Sequence, residues 1–373
     1  MINTIQTEQN NYTYRLMLRY NLNLINGMFF ELLSTWENKE YLVKFMEKKD
    51  KEYTEMYSVS LKKGMWAKYP RTYLGKYFIE IWDGEILKEK ISVLDHIKGK
   101  RVLISFESHS LGDSIAWMPY CLEFKNIYQC EVVVSTFKNF LFEAAYPELK
   151  FIERGVTVEN IIGQFEYGWY WDANKEPEHP AVIPLQKTAS NTLNLPFKEI
   201  KTRIAFTPKE RPVVNEYICI STQSTSQCKH WYYWEELVSY YKDKGYRVFE
   251  MSKDAGDYGA EKLDDTSLDN VMNYLHHAEL YIGLSSGISW LNWAIGKHTV
   301  MISNFTNEDH EFTSNCTRIV NKEVCNGCWN NPMFKFDKGN WMWCPVNEDS
   351  PKHFECHKAI TSKYVIEKII NLL

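Results

Sequence analysis

No apolar run in this 373-residue chain approaches the roughly 20 residues that a helix needs to cross a bilayer. The opening stretch, "MINTIQTEQNNYTYR", has none of the apolar core of a secretory signal. Together these absences point to a protein that stays in the cytoplasm. Basic residues are not in excess either. The formal net charge is −5, and no Lys/Arg cluster supplies the field that would attract a nucleic acid. The dinucleotide fingerprint G-x-G-x-x-G is missing, which argues against a dehydrogenase. Internal repeats and low-complexity tracts are absent as well. In a reducing compartment the nine cysteines read as core thiols or metal ligands rather than disulfides.

The chain is 45% hydrophobic and 15% aromatic, which is ample for a core, and its length suits two or three domains. Residues 1–98 carry short alternating runs. Examples are Tyr41, Val43 and Phe45 in "YLVKF", Tyr57, Val59 and Leu61 in "MYSVSL", and "YFIEIWDG" ending at Gly84. Period-2 alternation punctuated by Asn-Gly and Asp-Gly predicts antiparallel hairpins and a small β-rich domain. From Lys100 the pattern becomes strand–helix alternation, the mark of a parallel sheet. "RVLISF" and "EVVVSTF" read as strands, with "HSLGDSIAWMPYCLEF" as turn and helix between them. A polar, Pro-containing linker spans roughly Asp172 to Pro212. Alternation then restarts. "YICIS", "YRVFEMS", "LYIGLSSG" and "TVMIS" are strands, and "WEELVSYYKDKG", "SLDNVMNYLHH" and "ISWLNWAIGK" are helices. The expected α/β organisation is a β-rich domain (1–98), two Rossmann-like domains (99–205 and 206–312) and a cysteine-bearing segment with a terminal helix (313–373). In such folds the ligand lies at the carboxyl ends of the strands.

Three strand ends carry candidate chemistry. In "FESHSLGDSIAW", Gly112 permits a tight turn and Asp113 opens a helix. Asp113 is either an N-cap or a cleft carboxylate that takes a proton from a hydroxyl nucleophile. "STQSTSQCKHW" is crowded with hydroxyls, among them Ser224 and Thr225, and carries Lys229. It is either a polar loop or a diphosphate site with Lys229 as the point charge, and it lacks the glycines of a Walker A loop. In "GLSSGISWLNWAIGK", Ser285, Ser286 and Gly287 start a helix whose free N–H groups suit an anion, or else they simply cap it. Three anion-friendly strand ends in two Rossmann-like halves favour a nucleotide-sugar glycosyltransferase of the GT-B type. His109, His230 and His310 lie near these motifs, His276 and His277 read as surface residues, and Cys228 beside Lys229 is a candidate reactive thiol.

Four further cysteines, Cys325, Cys328, Cys344 and Cys356, are spaced C-x2-C-x15-C-x11-C. That spacing fits a tetrahedral thiolate site for zinc or a single iron. Four thiolates close the coordination shell, so the site reads as a structural staple, with Trp329, Trp341 and Trp343 around it. A nucleic-acid ribbon or an electron-transfer iron centre is the alternative of another class. The acidic balance opposes the first, and the two-Rossmann chain exceeds what the second needs.

"LGDSIAW", "STSQCKHW", "GLSSGISWLNWAIGK", "HEF" and the C-x2-C…WCP…FEC tail, in this order, resemble the bacterial autotransporter heptosyltransferases. "YPEL", "GWYW" and "IPLQKTAS" extend the resemblance over nearly the whole chain. It implies a GT-B fold related to family 9 lipopolysaccharide heptosyltransferases, with ADP-heptose as donor and serine hydroxyls of autotransporter adhesin repeats as acceptors. It further implies Asp113 as catalytic base, Lys229 on the donor phosphate, and Ser286, Gly287 and Ser289 as donor-binding residues. The four cysteines match ligands of a structural iron, and ring-shaped homo-oligomers, dodecamers among them, are implied. The sequence departs from the family pattern in "CKHWYYWEEL", "MSKDAG" and "FTNEDHEF". These lie on the donor side, where another nucleotide sugar or a glycan acceptor is the alternative.

Overall fold

The computed structural model describes residues 18–71, 73–169, 178–337, 339–340 and 342–373. It separates into two compact units, one ending at Ile97 and the other holding Lys98–Leu373 together with Thr72–Leu74.

The first unit is antiparallel. Strands β1 (Arg19–Asn23), β2 (Met28–Ser34) and β5 (Trp66–Tyr69) form one sheet in the order β1-β2-β5. Strands β3 (Tyr41–Lys49), β4 (Glu52–Leu61), β6 (Tyr77–Asp83) and β7 (Ile86–Ser92) form another in the order β4-β3-β6-β7. A short helix α1 (Val93–Ile97) follows. The alternation is realised in β3, where Tyr41, Val43 and Phe45 are buried and their neighbours are not. In β4 it is weaker than expected. Only Leu61 is buried, while Tyr57 stays exposed and stacks on Tyr69. Asn26-Gly27 turns β1 into β2 at positive φ. A Cβ on Gly27 would lie 2.6 Å from the Tyr69 carbonyl oxygen, so only glycine fits there.

The second unit contains two parallel sheets. Strands β8 (Arg101–Phe106), β9 (Glu131–Ser135), β10 (Lys150–Phe151) and β11 (Ile161–Tyr167) are ordered β10-β9-β8-β11. Strands β12 (Tyr217–Ser221), β13 (Arg247–Glu250), β14 (Glu261–Lys262), β15 (Leu280–Leu284), β16 (Thr299–Ile302) and β17 (Cys316–Ile319) are ordered β14-β13-β12-β15-β16-β17. The second order is that of a dinucleotide-binding Rossmann sheet, 3-2-1-4-5-6. In both sheets the winding reverses beside the first strand, between β8 and β11 and between β12 and β15. Such switch points open a crevice at the carboxyl ends of the strands.

Helices α2 (Leu111–Tyr128), α3 (Asn139–Phe142) and α4 (Leu185–Thr192) accompany the first sheet. Helices α5 (Trp234–Asp243), α6 (Leu268–His277), α7 (Gly287–Ala294), α8 (Glu355–Lys358) and α9 (Ser362–Ile369) follow along the rest of the chain. The expected linker from Asp172 to Pro212 is corrected in part. Its described residues include α4, whose Ala189 and Ser190 are fully buried, and Gln186 there bonds the backbone of Ile200. The strand Cys316–Ile319, assigned from sequence to the cysteine-bearing segment, is the edge of the second sheet. Ile319, Ile360, Val365 and Ile369 join Ile218, Ile220 and Ile282 in that sheet's core. Each such side chain contributes about 1.5–3 kcal/mol by leaving water.

Candidate active site

The start of α2 is fixed by Ser110, not by Asp113. Ser110 is the N-cap, and its hydroxyl accepts from the Asp113 amide at 3.4 Å. This removes the N-cap alternative for Asp113, whose side chain is committed elsewhere. Its Oδ2 accepts from Ser108 Oγ at 2.6 Å and from Trp169 Nε1 at 2.8 Å. Trp169 lies just past the end of β11, so the two strands flanking the first switch point hold one carboxylate between them. Asp113 is only 8% exposed. Burial raises its pKa, opposed by the Ser108 and Trp169 hydrogen bonds and by the Lys229 charge.

The second switch point supplies the cationic side. Lys229 follows β12, and its ammonium donates to the Ser285 carbonyl at 3.3 Å and reaches Ser285 Oγ at 3.5 Å. It also lies 5.5 Å from the Phe305 ring centre. Ser285 donates to Glu311, a buried carboxylate that also accepts from Thr306 and, at 2.6 Å, from Arg318. Burial would raise the Glu311 pKa, but Arg318, His310 and Lys229 overcome it and hold it at about 2. Arg318 is almost as buried as its partner. Lys229 is thus fixed by a serine that the buried Glu311–Arg318 ion pair holds in place.

The two halves meet where α2 and α7 begin. A Cβ on Gly287 would come within 2.8 Å of Leu111 Cβ, and one on Gly112 within 3.1 Å of the Trp290 ring. Glycine at both positions lets two helix starts approach, so their free N–H groups open on one space. That space is a cavity of about 710 Å³. Asp113, Gly112, Thr225, Lys229, Ser285, Ser286 and Gly287 line it, as expected from the sequence. Ser224 and Ser289 do not. The Ser224 hydroxyl bonds the Ser226 carbonyl, and Ser289 is fully buried on the Leu284 carbonyl at 2.6 Å. Ser286 Oγ is buried with no partner among the described residues and so is available to a ligand.

His310 lines the cavity. His109 instead stacks on Phe137, and His230 is outside the lining. Cys228 is corrected as a reactive thiol. It is buried, and burial raises its pKa, which leaves it protonated. Trp169, Glu311 and Arg318 were assigned no role from sequence. Trp169 and Glu311 stood only inside the quoted "GWYW" and "HEF".

The cysteine-bearing segment is closer to the cavity than a distant staple would be. Trp329, Pro332, Phe334, Lys335 and Phe336 all line the same space. Cys325, Cys328, Cys344 and Cys356 form no disulfide. Among the described residues no three His, Cys, Asp or Glu side chains stand as a ready metal-holding set. Cys356 nonetheless lies within electrostatic reach of the other three thiols. Burial first, and then the charges of the other three, raise Cys356, and Cys328 is raised to about 11 by burial and by its thiol neighbours. A cation among them would turn that repulsion into attraction, so the donor set fits a thiolate-bound metal in type. Trp343, Phe354 and Phe305 pack around Cys344, with Trp329 beside them, while Trp341 lies outside the described residues.

Two parallel Rossmann-type sheets, with a carboxylate at the start of α2 on one side of their shared cavity and a lysine and the start of α7 on the other, define a GT-B-like glycosyltransferase. Residues 169–343 match glycosyltransferase family 9 (heptosyltransferase). The autotransporter heptosyltransferase Aah of Escherichia coli is 33% identical over 332 residues, spanning 83% of each chain. The chain belongs to the autotransporter heptosyltransferases. The crystal structure of TibC, an iron-containing dodecameric glycosyltransferase of enterotoxigenic E. coli H10407, is similar at a TM-score of 0.82. Its identity is 27%, and 95% of each chain is covered. TibC in complex with ADP-D-beta-D-heptose gives 0.83 at 26% identity, covering 98% of this chain and 99% of that one. BimC of Burkholderia thailandensis, an inactive autotransporter heptosyltransferase, is 29% identical over 290 residues, 72% of this chain and 67% of its own.

Proposed function

We propose that this chain transfers heptose from ADP-heptose to serine hydroxyls of an autotransporter adhesin, acting in the cytoplasm as a homo-oligomer, with a dodecamer as in TibC. The observation that carries the reading is the shared cavity, in which a buried carboxylate at the start of α2 faces a fixed lysine and the start of α7. An acceptor serine oxygen attacks the anomeric carbon. The bond from that carbon to the β-phosphate oxygen breaks, and Asp113 takes the serine proton. Charge grows on the departing ADP, and Lys229 with the N–H groups at Ser286-Gly287 stabilises it most in the transition state. Thr225 and Ser286 supply further hydrogen bonds to the diphosphate.

Because one relative is named inactive, activity is tested directly. The chain is mixed with ADP-heptose, ADP-glucose, UDP- and GDP-sugars and an autotransporter repeat fragment, and intact mass is recorded. Gain of one heptose per site supports the reading. Gain only with another donor moves the enzyme to a sister specificity, and no transfer from any donor removes the reading. Lys229→Ala is expected to weaken ADP binding and the rate together, each by about 10- to 100-fold for one lost charge-assisted contact. Titration calorimetry and initial rates check this, and unchanged ADP affinity removes Lys229 from the diphosphate.

Cys325, Cys328, Cys344 and Cys356 would hold one iron, or zinc, which shares this ligand set. The ion would supply a cross-link, and the residues it ties reach the donor loop. Trp231 donates to the Ile360 carbonyl, and Tyr233 donates to the Lys358 carbonyl at 2.8 Å. Elemental analysis is expected to find one metal per chain. Removing it with a chelator should lower both the melting temperature and ADP affinity. Unchanged values after verified removal would separate the segment from the donor site.

A further inference from the structure

We infer that Trp169 is a positioning residue for the base, pinning Oδ2 of Asp113 so that Oδ1 is the oxygen that receives the acceptor proton. The inference rests on the proposed role of Asp113 and adds to it how that carboxylate is aimed. Trp169 Nε1 and Ser108 Oγ approach the same oxygen, at 2.8 and 2.6 Å. They come from different chain segments, one after β11 and one after β8, so the carboxylate is gripped across the first switch point. Two donors converging on Oδ2 make it the less basic oxygen, which leaves Oδ1 to take a proton.

The indole is itself held. Its ring meets Trp329 edge-on at 5.5 Å, and Trp117 and His310 lie at 6.2 and 6.5 Å. An aromatic clamp of this kind fixes the direction of the N–H, which makes it a better orienting donor than a freely rotating hydroxyl. Trp117 is buried, and its own Nε1 donates to the Leu185 carbonyl at 3.1 Å, so the clamp is anchored in the core of the first Rossmann-like half. Trp329 follows Cys328 directly. The chain that bears the cysteines therefore touches the base through one intervening ring.

Both bonds favour the ionised carboxylate, opposing the effect of burial. The charged side chain acting on Asp113 is Lys229, from the loop after β12. Ser108, Ser110 and Trp169 add neutral hydrogen bonds, and burial pushes His310, which packs against Trp169, toward its neutral form. Removing the indole N–H therefore has a defined sign. Asp113 becomes harder to ionise, and a reaction that needs it ionised loses rate first at low pH.

The test compares the intact chain with Trp169→Phe, which keeps an aromatic ring and removes the donor, and with Ser108→Ala. For W169F we expect kcat to fall about 10- to 100-fold, the span of one hydrogen bond to a charged group. ADP affinity should change less than twofold, and the acid limb of the pH–rate profile should move to higher pH. S108A should move the limb in the same direction and keeps the test decisive if W169F does not fold. A fall in kcat with an unmoved limb in either soluble variant would mark a packing role only and overturn the inference. Unchanged kcat and limb would overturn it as well. If the intact chain transfers no sugar, the proposed function fails first. An active chain with unshifted variants defeats this inference alone.

Discussion

Replacing Asp113 with asparagine is expected to cut transfer by about 10²- to 10⁴-fold while leaving ADP binding nearly unchanged. Asparagine has the same shape, and its oxygen still accepts from Ser108 and Trp169, so the cavity keeps its form. What it loses is the ability to take a proton. The pH dependence follows from the direction of the shift. Burial holds the Asp113 pKa above the ordinary aspartate value of roughly 3.9, so the acid limb of the wild-type rate lies above that value. Stability runs the other way. With the folded pKa above the unfolded one, the folded chain binds more protons in the window between them. Stability is therefore lost as pH rises through the folded value. At neutral pH the ionised carboxylate is a cost, and Asp113→Asn should melt at a higher temperature than the intact chain. Intact-mass assays, calorimetry with ADP and thermal melts check the three parts. Full activity in the variant would take the base role from Asp113, and a lower melting temperature would make it a structural carboxylate.

Glu311→Ala is expected to destabilise the fold by on the order of 3–5 kcal/mol, because it strands the Arg318 guanidinium in the interior. Arg318 Nη1 spends its hydrogen bond on Glu311 at 2.6 Å, and Arg318 Nη2 bonds Thr306, so loss of the carboxylate leaves a buried charge with neutral partners only. The double replacement Glu311→Leu with Arg318→Met should recover much of the loss, since removing both charges leaves nothing unpaired. Donor binding should stay weak in both variants, because Ser285 no longer has an acceptor to hold it under Lys229. Acid sensitivity is the independent signature. The Glu311 pKa is depressed to about 2, so its stabilising contribution is complete above the unfolded value near roughly 4.3 and disappears as pH falls from there toward 2. Urea midpoints measured across that window should fall more steeply for the intact chain than for the double variant. Parallel slopes would remove Glu311 as the acid-sensitive element. Normal ADP affinity in the double variant would detach the pair from the donor site.

Local pattern was sufficient for the strands and most helices of the second unit. "RVLISF" and "YICIS" are bounded by charge and turn residues, and they become β8 and β12 without adjustment. The helix face Trp234, Leu237, Val238 and Tyr241 is buried as its spacing requires. Asp113, Lys229 and Ser285–Gly287 were legible because each sits where a strand ends and a helix or loop begins, and parallel sheets collect such ends on one side. Ser289 was misplaced for the converse reason. It lies in the first turn of α7, but its side chain faces Tyr281 and the sheet rather than the cavity.

Sequence order by itself determined the α/β class, the strand ends that meet at the cavity and the four-cysteine set, since periodicity and spacing are local properties of the chain. Tertiary structure alone decided that Ser110 and not Asp113 caps α2, and that Trp169 donates to the Asp113 carboxylate across 56 residues of chain. It also placed Glu311 and Arg318 beneath Lys229, and brought the cysteine-bearing segment in as a wall of the cavity. These depend on which elements the winding of the two sheets brings together. A hydrogen bond or an ion pair forms across whatever sequence distance that winding closes, and no short-range pattern records it.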